Sequence, residues 1–151
     1  MGLFGSLDIS ASALSAERLR MDVTAENLAN AQSTRTAGGG PYRRKEVVLE
    51  STGGGFAGAL ASARAGGGSG GSGGPDGGVR VSGIVEDQTP NRLVYDPSHP
   101  DANAQGYVSM PNVNPVTEMV DLISASRSYE ANVTAMQTTK QMFSKTLDLL
   151  R

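Results

Sequence analysis

The sequence predicts a mainly α fold with a small β part: long N- and C-terminal helices paired as a coiled coil, with a β-rich, partly disordered middle lobe. Three observations carry that prediction. A heptad of apolar residues lies near each end of the chain, short alternating runs occupy the middle, and many of the 20 glycines cluster between those runs. The organisation that follows is an N-terminal axial helix in residues 1–35 and a middle β lobe in residues 36–112. A flexible Gly-rich insert over 51–78 interrupts that lobe, and a C-terminal axial helix in residues 113–151 pairs with the first.

The first helical pattern runs from about Leu3 to Ala31. Leu7, Leu14, Met21 and Leu28 fall every seventh residue, with Ala11, Arg18 and Ala25 between them. Ile9, Ala13, Ala16, Leu19 and Val23 lie on the roughly opposite side at 100° per residue. A helix with two apolar sides is sandwiched between neighbours, and a chain with two long helices offers few, so other subunits are the natural candidates. Asn27 and Asn30 project towards the second face. They either help to end the helix or make a specific hydrogen bond between subunits.

From Ser33 to Pro41 the pattern stops, and Gly38, Gly39, Gly40 and Pro41 turn the chain. Tyr42-Arg43-Arg44-Lys45 is a short basic run that reads as a solvated edge rather than a nucleic-acid site, because acidic residues follow at once. Glu46 to Glu50 reads as a strand. A small alanine-rich island spans residues 56–65, and the tract 66–74 of Gly and Ser cannot repay the entropy of ordering. No Gly-Lys-Ser/Thr follows it, so it is not a phosphate loop. Val79 to Glu86, Arg92 to Tyr95 and Gln105 to Met110 read as three further strands.

The C-terminal pattern is the strongest. Leu122, Tyr129, Met136, Phe143 and Leu150 recur every seventh residue, and Met119, Ser126, Val133, Lys140 and Leu147 keep the same beat three residues ahead. Asn114 is placed to cap the first turn, and Pro115 suits the first helical position. A self-contained antiparallel two-helix hairpin with a small β lobe is the alternative to an assembling pair. Against it stands a second side of this helix, with Val120, Ile123, Arg127, Ala131, Thr134, Thr138, Met142 and Leu149.

Composition narrows the function. The formal net charge of −2 argues against a generic binder of nucleic acid or anionic membranes. Without cysteine there is neither a disulfide nor a thiolate metal site. No stretch reaches transmembrane length, and Met1 to Ser6 lack the features of a cleaved signal peptide. Gly2 and Ser6 match the spacing of a myristoylation motif, a match that nothing else in the chain supports. His99 is the only histidine and stands in a Pro-rich loop between Asp96 and Asp101, which excludes a Ser-His-Asp triad and reads as a solvated histidine rather than a metal site. No enzyme, no cofactor and no small-molecule substrate is expected. A monomeric secreted binding module, its loop around His99 holding a ligand, is the reading from another class.

Several motifs together resemble the bacterial flagellar rod and hook proteins. Asn27-Leu28-Ala29-Asn30 ends the first helix, and Glu118-Met119-Val120 leads to Arg127-Ser128-Tyr129-Glu130-Ala131-Asn132 in the last. Ser33-Thr34-Arg35-Thr36, Gly40-Pro41-Tyr42-Arg43-Arg44, Tyr95-Asp96-Pro97 and Met110-Pro111-Asn112-Val113-Asn114 resemble the proximal rod branch of that family. The commoner Asn-x-x-Thr-Pro-Gly-Tyr turn is absent, and Ser33-Thr34-Arg35 stands in its place. The resemblance implies a structural subunit of the basal-body rod, inside the periplasm and exported without a cleaved signal. It implies hetero-oligomeric helical assembly with other proximal rod proteins, the distal rod protein, the adaptor at the membrane-ring base and the type III export gate.

Overall fold

The computed structural model describes residues 3–52 and 77–149. The alanine-rich island, the 66–74 tract and Leu150 lie outside the described residues. The element order is α1 (Leu3–Ala29), β1 (Lys45–Ser51), β2 (Val79–Glu86), β3 (Arg92–Tyr95), β4 (Tyr107–Met110) and α2 (Pro115–Leu149). Two helices and two small two-stranded sheets, β1 with β2 and β3 with β4, thus make up the described fold.

Helix α1 has neither Gly nor Pro after Gly5, so nothing interrupts its hydrogen-bond ladder. It stops two residues before the periodicity does. Ala31 N–H donates to Leu28 at 3.3 Å and Ser33 N–H to Asn30 at 3.0 Å, tightening the chain into turns. Thr36 N–H then reaches the Gly40 carbonyl at 2.8 Å, across a turn in which Gly39 and Gly40 adopt φ of 79° and 94°. That left-handed backbone is open to glycine at no steric cost. The turn returns Tyr42, whose N–H donates to Ser33 at 3.1 Å, and Tyr42 packs with Ala31 and Val113 as a buried cluster.

Strands β2 and β3 occupy the expected residues, and β1 extends the expected one by a residue at each end. In β3–β4 the register is antiparallel, Arg92 opposite Met110 and Tyr95 opposite Tyr107. Strand β4 starts at Tyr107 rather than Gln105. Gly106 has a φ of 81°, and Asn103 accepts from the N–H groups of both Gln105 and Tyr107, closing a turn where the strand was expected. A Cβ at Gly106 would stand 2.9 Å from the Tyr95 ring, so only glycine fits there.

Helix α2 begins as its sequence predicts. The Asn114 side chain accepts from Val116 N–H at 3.1 Å, the Asn114 carbonyl from Glu118 N–H at 3.0 Å, and Pro115 is the first helical residue. Thr134, Thr138, Thr139 and Thr146 each donate to the carbonyl four residues back, which satisfies hydroxyls that would otherwise compete with the helix.

By its contacts the chain divides into two compact units. One comprises Met1–Glu17, Leu49–Ser82 and Arg127–Arg151, the other Arg18–Val48 and Gly83–Ser126. The second holds the candidate site.

Candidate functional site

Among the described residues the most buried polar side chains, Asn27 and Glu118, meet near the end of α1. Asn27 is 1% exposed, and its amide has four hydrogen-bond partners. Its Nδ2 donates to the Lys45 carbonyl at 2.8 Å and to Glu118 Oε2 at 3.0 Å. Its Oδ1 accepts from Tyr42 OH at 2.9 Å and from Lys45 N–H at 2.9 Å. Two donors and two acceptor sites exhaust what an amide can offer. Asn27 therefore neither ends the helix nor reaches another subunit. It ties α1 to the start of β1 and the first turn of α2. Asn30 does the local work instead, donating to the Glu26 carbonyl at 3.0 Å and accepting from Ser33 Oγ at 3.1 Å.

Glu118, also 1% exposed, is the anionic centre of this node. Its Oε1 takes a 2.6 Å hydrogen bond from Arg44 Nε, and Arg44 reaches Asp121 at 3.5 Å. The hydrogen bond from Arg44 to Glu118 raises the guanidinium pKa and keeps it charged. The Arg44 N–H donates to Asn112 Oδ1 at 2.8 Å, and Asn112 Nδ2 faces the carbonyls of Asp87 and Thr89, each at 3.3 Å. Two segments more than sixty residues apart in sequence are thereby held on one helix turn.

The basic run is thus no solvated edge. Arg44 is drawn inward to Glu118, Arg43 donates to the Asp87 carbonyl at 3.4 Å, and Lys45 Nζ meets Glu26 at 2.6 Å. Lys45 also lies 5.6 Å from the centre of the Tyr42 ring. Burial pushes the Tyr42 phenol above its ordinary value, with the Glu26 charge adding to the shift. The neutral phenol is therefore the donor to Asn27. Replacing Tyr42 by Phe is expected to cost about 0.5–1.5 kcal/mol, because Asn27 Oδ1 loses one of its two donors and keeps only Lys45 N–H. Urea unfolding followed by circular dichroism would measure it, and an unchanged midpoint would rule out the role given to this hydroxyl.

Hydrophobic periodicity missed Arg44 and Asp121 because it counts apolar residues as inward. The signal that could have found them is the charged pair itself: a basic run on one side, acids in the first two turns of α2 on the other. Around α2 the covered stripe is Glu118, Leu122, Ala125, Tyr129, Asn132, Met136 and Thr139, with Ala125 wholly buried. Ser126 and Val133 are half-buried beside it, whereas Met119, Lys140, Phe143 and Leu147 are exposed. The pull of Arg44 and Asn27 on Glu118 turns that residue, not Met119, into the fold. In α1 the buried residues are Ala16, Val23, Thr24 and Asn27, and Leu7, Leu14, Met21 and Leu28 are half-buried.

Of the other motif residues, Pro111 is buried, Pro41 half-buried, and Ala29, Gly40, Arg127 and Glu130 exposed. Asn132 Nδ2 donates to the Ser128 carbonyl at 2.9 Å. The loop holding His99 is closed on itself, His99 Nδ1 accepting from Asp101 N–H at 3.1 Å. Among the described residues no group of three or more His, Asp or Glu is placed to hold a metal, and no helix is long and apolar enough to cross a membrane. The node's polar atoms are spent on one another, so it offers cohesion rather than chemistry.

Comparison with known proteins gives two family matches. The model described as "Flagella basal body rod protein" matches residues 7–35, and "Flagellar basal body rod FlgEFG protein C-terminal" matches residues 104–149. The chain is 53% identical over 153 residues to the flagellar basal-body rod protein FlgC of Bacillus subtilis, covering 99% of each. It is 43% identical over 158 residues to FlgC of Borreliella burgdorferi, covering 100% of this chain and 99% of that one. To FlgC of Escherichia coli O6:H1 it is 44% identical over 149 residues, covering 99% and 98%.

Proposed function

The chain belongs to the FlgC family of flagellar basal-body rod proteins, and from that premise we propose how its structure serves the rod. It is a structural subunit of the flagellar basal body, not an enzyme, and associates with other components of that rod. In the proposal, α1 and α2 pair as an antiparallel coiled coil and stack helically with the helices of neighbouring subunits. Residues 36–112 form an outer lobe. The proximal rod so built crosses the periplasm and transmits motor torque to hook and filament. Its neighbours are the other proximal rod proteins, the distal rod protein, the adaptor at the membrane-ring base and the type III export gate, through which the chain leaves without a cleaved signal.

The observation that carries this reading is the contrast between the node and the helix faces. Asn27, Arg44 and Glu118 lock the end of α1 to the start of α2 with their hydrogen bonds satisfied. Beyond that lock, α2 leaves Val116, Met119, Val120, Ile123, Met142, Phe143 and Leu147 exposed, more apolar surface than a solitary helix keeps in water. Leu7, Leu14, Met21, Leu28, Leu122, Tyr129, Val133, Met136 and Leu150 are assigned to the helix-pairing and assembly surfaces. No observation favours a monomeric secreted binding module.

Complementation tests the proposal. A strain lacking this chain is expected to build no complete rod and not to swim, and the full-length chain is expected to restore both. A chain shortened within residues 66–74 is expected to restore them equally, since the tract has no apolar groups to pack. Swimming by the strain without the chain would overturn the assignment.

A further inference from the structure

The exposed face of α2 carries more than apolar residues, and its charges have a counterpart on α1. Along α2, Val120 (60% exposed) and Ile123 (55%) are followed by Arg127 and Glu130, both exposed. Along α1 in the reverse direction, Ala29 and Ala25 are followed by Asp22 and Arg18, again all exposed. Set antiparallel, the two faces run in step over about 15 Å at 1.5 Å per residue. In one register Val120 faces Ala29, Ile123 faces Ala25, Arg127 faces Asp22 and Glu130 faces Arg18. Each large apolar side chain meets an alanine that leaves it room, and each charge meets its opposite.

None of the four charged side chains Arg18, Asp22, Arg127 and Glu130 has an ion-pair partner among the described residues. At the node the two faces do not meet within one chain. Asn27 on α1 is bonded to Glu118 on α2 at 3.0 Å, so the buried sides are the ones turned towards each other there. We infer that the outward face of α2 docks antiparallel on the outward face of α1 of a second copy of this chain. The contact uses a different patch on each partner, so it repeats from copy to copy and builds an open helical row rather than a closed dimer. It rests on the rod assignment above and names which faces meet and in what register.

Two experiments on intact basal bodies test it. The chain contains no cysteine, so Val120→Cys and Ala29→Cys can be placed in two differently tagged copies and expressed together. Mild oxidation is expected to link the two tags. The second experiment reverses charges. Arg127→Asp and Asp22→Arg alone are each expected to reduce the number of assembled rods at least tenfold, and the two together in one chain to restore it. Assembled rods with no cross-link, single reversals that assemble normally, or a double reversal no better than the singles would each overturn the contact while leaving the rod assignment standing. Absence of the wild-type chain from isolated basal bodies would remove both.

Discussion

Replacing Glu118 by Ala is expected to destabilise the folded chain by about 3–5 kcal/mol, the cost of removing one partner of a buried ion pair and leaving the other uncompensated. Arg44 would lose its 2.6 Å contact, and Asn27 Nδ2 would lose one of its two acceptors. A typical domain has only about 5–15 kcal/mol in hand, so the loss is a large share of the total. Urea unfolding followed by tyrosine fluorescence, in a chain with four Tyr and no Trp, would measure it. The same strain should not swim. A second variant separates charge from contact. Changing Arg44 to Met and Glu118 to Leu together removes both charges and substitutes apolar volume, and this pair is expected to lose far less stability than either single change. If Glu118→Ala leaves the midpoint where it was, the node does not hold the fold together.

What the sequence made legible follows from what periodicity can see. Helix α2 starts where Asn114 and Pro115 place it, and β2 and β3 lie on their predicted residues, because these signals are local. The node was not legible as a node. Asn27 and Glu118 are 91 residues apart, and a pattern that assigns polar residues outward cannot show that Glu118 turns in. Asn27 itself was placed on the right face of α1, yet its partners lay in a basic run that reads as solvated until Tyr42 and Lys45 are seen beside it. The motif residues drawn from the family resemblance gather in part: Asn27, Tyr42, Asn112 and Glu118 belong to one network, whereas Ala29, Arg127 and Glu130 lie on the surface. Cohesion within the chain explains the first group. The second group has no such explanation from this chain alone, and the proposed contact between copies supplies one.

Replacing Leu122, Met136 or Phe143 by Asp is expected to abolish rod assembly and swimming, for two different reasons that can be told apart. Leu122 and Met136 are half-buried in the chain by itself, on the stripe that also carries Ala125 and Tyr129. An aspartate there forfeits roughly 1.5–3 kcal/mol of burial for a fully covered side chain, and less for a partly covered one. It also forces a carboxylate against apolar neighbours. Both variants should therefore lose helix content as purified monomers as well as motility. Phe143 is 41% exposed, so its change to Asp should disturb the monomer's circular dichroism less than either of those changes. Motility should nevertheless be lost, because in the proposal the exposed part of that ring is covered when a neighbouring subunit packs against the last turns of α2. Normal swimming by the Phe143 variant would confine the assembly surface to the N-terminal half of α2. Normal swimming by all three would remove the helical seam from rod assembly altogether.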